Sequence, residues 1–141
     1  MHFNIQGLDK YATLHGIIVQ GDRIGRTIGF PTANLQTAGP LPEDGVYAAV
    51  MQWKGGRFYG MLDIGLRPTM DGKDRRVEMH LLDFNGILYG ETVAITPLHF
   101  LRGNRKFADT GALRAQLALD RQLICHYLEE KGFIQKKGGH A

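Results

Sequence analysis

The fold of this chain is decided by the stretch Val46-Tyr47-Ala48-Ala49-Val50-Met51-Gln52-Trp53-Lys54-Gly55-Gly56, which runs on into Arg57 to Ile64. Its first eight residues are rich in β-branched, aromatic and small apolar side chains, a composition that favours a strand. Lys54-Gly55-Gly56 then supplies the backbone freedom that a tight turn needs. The stretch therefore predicts a β-hairpin.

Further strands are predicted on both sides of this hairpin. Apolar and β-branched residues mark them at 13–20, 76–84 and 87–98. Asn85-Gly86, between the last two, is the strongest hairpin signal in the sequence. Loops are predicted where proline and glycine cluster, at 37–44, 67–69 and 71–72.

Only the last third of the sequence changes to helical spacing. Apolar residues recur there at Leu113, Leu117, Ile124 and Leu128. Asp109-Thr110 is a suitable N-terminal cap, and Gly132 is expected to end the helix. Five or six hairpin-linked strands followed by one helix indicate a mainly β protein. We expect a small antiparallel β-barrel with a C-terminal α-helix packed beside it.

Length and composition indicate one globular domain. The 141 residues are 43% hydrophobic and 22% charged, which suits a single core at about residues 13–132. Residues 1–12 and 133–141 are expected to be a peripheral leader and tail. The single cysteine, Cys125, fits a reducing compartment, and neither a signal pattern nor a long apolar run appears. The prediction is a cytoplasmic protein with no membrane partner.

A glycine-rich segment, Gly21-Asp22-Arg23-Ile24-Gly25-Arg26-Thr27-Ile28-Gly29-Phe30-Pro31, is the first candidate for ligand binding. Glycines such as Gly21 and Gly29 let backbone N–H groups approach an anion, and Arg26 supplies positive charge. If the following residues are extended, Thr32 and Asn34 share a face and can hold a magnesium nucleotide. The spacing is not that of a Walker A loop. The alternative is an ordinary surface turn.

A carboxylate candidate lies in the strand at 76–84. Alternation separates Val77, Met79 and Leu81 from Glu78 and its neighbours on the other face. If the face of Glu78 points inward, partial desolvation raises its pKa and makes it a better proton acceptor. The alternative is a glutamate on the solvent side of a half-buried strand, which spacing alone favours.

The segment Phe100-Leu101-Arg102-Gly103-Asn104-Arg105-Lys106-Phe107 mixes aromatic and cationic residues ahead of the helix. Such a loop can stack on a flat ring and carry a cation towards a phosphate. It can equally be a solvated turn with Phe100 and Phe107 packed into the core. Composition somewhat favours the turn.

Taken together, several motifs in order resemble the riboflavin kinase family, most closely the kinase module of bacterial bifunctional FAD synthetases. The resemblance covers about residues 14–128. It is carried by Gly29-Phe30-Pro31-Thr32-Ala33-Asn34, Gly45-Val46-Tyr47, Ile64-Gly65-Leu66-Arg67-Pro68-Thr69, Val77-Glu78-Met79-His80-Leu81-Leu82-Asp83-Phe84, Leu88-Tyr89-Gly90-Glu91 and Phe100-Leu101-Arg102. It implies a six-stranded Greek-key barrel that transfers the γ-phosphate of ATP to the 5′-hydroxyl of riboflavin, giving FMN and ADP.

The resemblance also implies roles for individual residues. Thr32 and Asn34 hold Mg²⁺ (or Mn²⁺ or Zn²⁺) and phosphate oxygens, and Glu78 is the general base. The nucleotide flap contains three further candidates: Gly21, Arg26 and Gly29. The loop over the flavin contains Arg102, Arg105 and Phe107. Nothing resembles the nucleotidyl-transfer motif of the bacterial N-terminal domain, so we expect the chain to form FMN and stop, as a stand-alone kinase or an excised domain.

Two other functions compete with the kinase. A non-catalytic flavin-binding module has the same motifs without the turnover. A small basic barrel that binds nucleic acid is suggested by a pI near 9.1, the aromatic and basic loop and Lys136-Lys137. A net charge of +3 is thin support for that partner. We therefore expect a monomer whose partners are ATP and riboflavin, and no nucleic acid.

Overall fold

The described part of the chain forms six strands and one helix. A computed structural model describes residues 10–19, 32–69, 72–84, 86 and 88–136. The elements, in chain order, are β1 (Leu14–Val19), β2 (Ala33–Thr37), β3 (Gly45–Trp53), β4 (Gly56–Thr69), β5 (Gly72–Leu81), β6 (Thr92–Arg102) and α1 (Thr110–Glu130). No helix among these residues is long and apolar enough to cross a membrane.

The predicted hairpin is confirmed as β3 and β4. The two strands pair from Gly45 with Ile64 to Trp53 with Gly56. Lys54 and Gly55 form the turn between them with positive φ angles of 48° and 78°. A two-residue turn with two positive φ angles matches the right-handed twist of the strands, which explains why the Lys-Gly-Gly sequence marks this position.

The strands close into an antiparallel barrel in the order β1-β2-β5-β4-β3-β6. Closure comes from two long-range pairings, β1 with β6 and β2 with β5. The mainly β fold with a C-terminal helix is therefore confirmed. Closing the sheet removes the free edges that would otherwise expose unpaired backbone groups.

The hairpin prediction at Asn85-Gly86 was wrong. β5 pairs with β2 and β4, whereas β6 pairs with β1 and β3, so the two strands are not neighbours. After β5, the Phe84 ring packs against Phe58 and Trp53, at 5.3 and 6.2 Å between centroids. A turn sequence specifies a local bend, but long-range packing decides which strands pair.

The loop predicted at residues 67–69 and 71–72 was also too long. β4 continues to Thr69 and pairs there with Gly72, the first residue of β5. β5 thus begins at Gly72 instead of residue 76, and it ends at Leu81. Ladder hydrogen bonds use backbone groups, so the hairpin extends past the apolar part of each strand.

Two apolar clusters hold the structure together. The first fills the barrel and includes Tyr47, Met51, Leu62, Val77 and Met79. The second lies between the outer face of the barrel and α1. Its buried residues are Val46, Ala48, Val50, Met61, Leu98, Leu117, Ile124 and Leu128. The interior of the barrel is therefore a packed core, and the strands under the helix are buried on both faces.

The helix begins and ends where the sequence predicts. Asp109 is the N-cap, and its Oδ1 accepts a hydrogen bond from the backbone N–H of Ala112 at 2.8 Å. Gly132 follows the helix with φ of +78°, the left-handed conformation that favours glycine at this position. Phe133 and Ile134, assigned from sequence to the peripheral tail, pack against the second cluster.

We predict that His99 makes stability depend on pH. Its ring stacks on Tyr127 of α1 at 4.3 Å between centroids, and burial, followed by the charges of Lys131 and Lys10, lowers the pKa of His99. The unfolded chain keeps a histidine pKa near ~6.5. The stabilising contribution is therefore complete above that pH and is lost as pH falls towards the lower pKa of the folded protein.

The measurement is thermal unfolding of the wild type and of His99→Phe from pH 8 to pH 5. The variant keeps a ring against Tyr127 but cannot be protonated. The wild type should lose more stability than the variant over this range. Parallel curves would contradict the role of His99.

Candidate active site

A row of polar side chains crosses three neighbouring strands on one face of the sheet. Asn34 of β2 is paired with Glu78 of β5, and Glu78 is paired with Asp63 of β4. Directly paired residues project to the same face, with Cβ atoms about 5 Å apart. Asn34 and Glu78 are only 8% and 7% exposed. We call these three residues the polar row.

The polar row lies on the outer face of the barrel. Glu78 alternates with Val77 and Met79, and Asp63 alternates with Leu62 and Ile64, all of which belong to the interior cluster. The condition that the face of Glu78 points inward was therefore wrong. Its solvent-side alternative also fails, because Glu78 is buried. Alternation along one strand separates two faces, but it does not show that both are covered.

Arg76 joins the two carboxylates of the polar row. Its Nη1 donates a hydrogen bond to Oε1 of Glu78 at 3.1 Å, and its Nη2 lies 3.7 Å from Oδ2 of Asp63. Burial raises the pKa of Asp63, an effect that Arg76 and then Arg102 oppose. One guanidinium therefore compensates two acids, the half-buried Asp63 and the buried Glu78. It also fixes the orientation of the Glu78 carboxylate.

The predicted flavin residues come together where β6 meets α1. The guanidinium of Arg102 donates to both carboxylate oxygens of Asp120, at 2.9 Å from Nε to Oδ1 and 2.6 Å from Nη2 to Oδ2. Arg105 lies over the Phe107 ring, 5.2 Å from its centroid, and donates to Oε1 of Gln116. Of the two aromatic residues that the turn interpretation places in the core, Phe100 packs against the interior cluster, whereas Phe107 is half-buried and belongs to neither apolar cluster.

Asn104 fastens this loop to the barrel next to the polar row. Its Nδ2 donates to the backbone carbonyl of Ile64 at 2.7 Å, one residue from Asp63. The approach requires Gly65, because a Cβ there would lie 2.6 Å from Nδ2 of Asn104. The loop that follows β6 therefore starts beside the acidic end of the row.

The remaining predicted site residues are distributed as follows. Thr32 directly precedes β2 and is half-buried, close in sequence to Asn34. Gly21, Arg26 and Gly29 lie outside the described residues. Within the described ranges, no group of three His, Cys, Asp or Glu side chains could hold a metal ion. Oxygen donors of Thr32 and Asn34 are nevertheless the type that Mg²⁺ prefers, with substrate phosphates supplying further ligands.

Sequence reasoning missed two acids that the structure makes central. Asp63 interrupts the otherwise apolar run Met61-Leu62-Asp63-Ile64. Asp120 falls three residues after Leu117 and four before Ile124, on the buried stripe of the helix, and it is fully buried. The available signal was a charged residue at a position where the local pattern predicts a buried apolar one.

Comparison with known proteins identifies the family to which the chain belongs. The family model described as flavokinase, riboflavin kinase, matches residues 8–128. The chain is 37% identical to the bifunctional riboflavin kinase/FMN adenylyltransferase of Haemophilus influenzae, over 80% of this chain and 37% of that protein. The protein of the same description from Escherichia coli is 39% identical, over 76% of this chain and 35% of that protein. The one from Bacillus subtilis is 37% identical, over 81% of this chain and 38% of that protein.

Among solved structures, a crystal structure described as a macrolide-efflux protein from Streptococcus pneumoniae matches with a TM-score of 0.74 and 36% identity. The match covers 80% of this chain and 38% of that one. The chain thus spans well under half the length of these relatives. It belongs to the riboflavin kinase family, and its barrel and helix form a riboflavin kinase domain.

We predict that Asp120→Ala destabilises the domain by about 3 kcal/mol, because removing one partner of a buried ion pair leaves the other charge uncompensated. Arg102 is only 19% exposed, and Gln116 also loses its acceptor on Asp120. Denaturant unfolding measures the loss.

The matched control is Asp109→Ala on the same helix. It removes the N-cap bond to Ala112 and should cost only about 1 kcal/mol. Equal losses for the two variants would contradict the structural weight given to the Arg102–Asp120 pair.

Proposed function

We propose that this domain transfers the γ-phosphate of ATP to the 5′-hydroxyl of riboflavin, with Glu78 as the general base and Thr32 and Asn34 as ligands of a divalent cation. One observation carries the proposal: Asn34 and Glu78 are direct cross-strand partners on a buried stretch of the outer face. A base and a cation ligand must be neighbours in such an enzyme, since the hydroxyl attacks the phosphate that the cation holds.

The chemistry asks for one proton acceptor. A primary hydroxyl is a weak nucleophile, and a positioned carboxylate increases its reactivity by taking its proton. Glu78 receives that proton as the hydroxyl oxygen bonds to the γ-phosphorus, and the bond from phosphorus to the ADP oxygen breaks. Arg76 supports this role because its hydrogen bond to Oε1 holds the carboxylate in one orientation.

The cation and the nucleotide belong at the β2 end of the polar row. A bound divalent cation neutralises phosphate charge. The hydroxyl of Thr32 and the amide oxygen of Asn34 would hold it. The glycine-rich segment before Pro31, with Gly21, Arg26 and Gly29, is assigned to the nucleotide phosphates.

The flavin belongs at the opposite end of the row, beside the loop after β6. The guanidinium of Arg105 already lies over the Phe107 ring there, and an aromatic or guanidinium plane suits a flat ring. Arg102 is engaged by Asp120. We therefore assign Arg102 to holding the loop in place and Arg105 and Phe107 to the ring.

The activity is tested by incubating the domain with ATP, Mg²⁺ and riboflavin and separating the flavins by chromatography. Conversion to FMN with equimolar ADP is expected. Binding of riboflavin without FMN formation would contradict the proposal and would instead support a non-catalytic flavin-binding module.

We predict that Glu78→Gln lowers kcat on the order of 100-fold or more, because the amide keeps the shape of the side chain but accepts no proton. Steady-state kinetics and a thermal unfolding curve check the loss of turnover and the integrity of the fold.

The matched control is Glu130→Gln, the same change at an exposed residue near the end of α1. Its kcat should stay within about two-fold of the wild type, as surface substitutions rarely matter. Near-normal turnover of Glu78→Gln would remove Glu78 as the base.

We also predict that Asn34→Ala weakens binding of the magnesium nucleotide on the order of 10-fold, since it removes a neutral oxygen ligand. Calorimetry with Mg²⁺ and ADP measures the change. Gln36→Ala, at an exposed position two residues along the same strand, should leave binding unaltered. Unchanged affinity of Asn34→Ala would exclude it as a cation ligand.

A further inference from the structure

Asp63 carries a buried oxygen atom that no described residue satisfies. Its Oδ2 faces Arg76, whereas Oδ1 is buried and accepts no hydrogen bond from the described residues, although 15% of the side chain remains exposed. Buried polar atoms are nearly always hydrogen-bonded, so an exception calls for an explanation. The same guanidinium does donate a hydrogen bond to the neighbouring acid, Glu78.

The position of Asp63 lies between the two halves of the proposed site. On one side is Glu78, its partner on β5. On the other is the loop after β6, which Asn104 fastens to the carbonyl of Ile64. Neighbouring strands are about 4.8 Å apart. A ligand that places its reacting end at Glu78 and its ring at this loop must therefore pass over β4 at Asp63.

We infer that Asp63 is a specificity-determining residue that accepts a hydrogen bond from a secondary hydroxyl of the ribityl tail. This inference rests on the proposed function and deepens it. The tail carries hydroxyls on successive carbons. When the terminal hydroxyl lies at Glu78, an inner hydroxyl therefore lies over the neighbouring strand, β4. A carboxylate oxygen only accepts hydrogen bonds, which matches a hydroxyl donor.

The donor that a ribityl tail offers to Asp63 is a neutral hydroxyl. The cation beside Asp63 is Arg76, which lies next to both carboxylates of the row, and burial raises the pKa of Asp63 against the effect of Arg76 and Arg102. A hydroxyl satisfies the remaining oxygen and adds no further charge. The described part of the chain thus leaves this acceptor without a donor, and a hydroxyl of a polyol would supply the missing bond.

The test compares riboflavin with lumiflavin, which has the same ring system and a methyl group in place of the tail. Asp63→Ala should weaken riboflavin binding, measured by quenching of flavin fluorescence, on the order of 10-fold. Lumiflavin binding should change by less than about two-fold. In turnover, the KM for riboflavin should rise while the KM for ATP and kcat stay close to wild type, because this contact exists equally before and in the transition state.

Three variants complete the design. Asp63→Asn retains an acceptor oxygen and should restore most of the riboflavin affinity. Asp63→Val offers a second truncation, suited to a strand, if the alanine variant folds poorly. Asp44→Ala is the matched control, since Asp44 also pairs with an arginine, Arg75, but stands outside the polar row; it should leave both flavins unaffected.

Equal weakening of riboflavin and lumiflavin, or no weakening of either, would overturn the inference. An asparagine variant as weak as the alanine variant would do so as well, because the role would then depend on charge. These outcomes are distinct from failure of the proposed function. A wild type that binds riboflavin yet forms no FMN contradicts the kinase assignment, whereas the binding comparison still decides the role of Asp63.

Discussion

The pairing of β2 with β5 is the interaction on which both the fold and the proposed site depend. It links the two halves of the sheet, because β2 otherwise contacts β1 and β5 otherwise contacts β4. The same pairing brings Asn34 beside Glu78. A slip of one residue would turn Asn34 into the barrel and Leu35 outward. The burial of Leu35 within the interior cluster therefore fixes the register that assembles the polar row.

Burial of charge on the outer face is possible because each acid has a defined cation. Arg76 compensates Glu78 and Asp63, and Arg102 compensates Asp120. Replacing such pairs by apolar residues is often neutral or stabilising, so stability alone does not explain them. The pair of Arg102 and Asp120 joins the last strand to the helix, and that connection fixes where the loop between them begins. Its contribution is positional.

The sequence was sufficient where the determining interactions are local. Lys54 and Gly55 specify the β3–β4 turn, and Asp109 and Gly132 delimit the helix, because each acts through neighbouring backbone groups. The motif Asn85-Gly86 misled because the strands before and after it, β5 and β6, are not neighbours in the barrel. Glu78 was assigned a face from alternation, but no local pattern shows that the outer face of a barrel strand is also covered. The family motifs brought Asn34 and Glu78 together, and register explains why they meet.

The packed interior of the barrel explains why the proposed site lies on its outer face. A six-stranded barrel has room only for its own side chains, and Tyr47, Met51 and Leu62 fill that space without exposure to solvent. A ligand as large as a flavin or a nucleotide therefore needs a surface built from strand faces and the segments that cross them. The proposed function uses the outer face of β2, β5 and β4 as that surface, beside the loop that Asn104 attaches to β4. Strand register sets the order of the groups across this face, from the amide of Asn34 to the carboxylates of Glu78 and Asp63. This order is the physical basis for proposing that the polar row runs from the phosphate to the ring of the ligands.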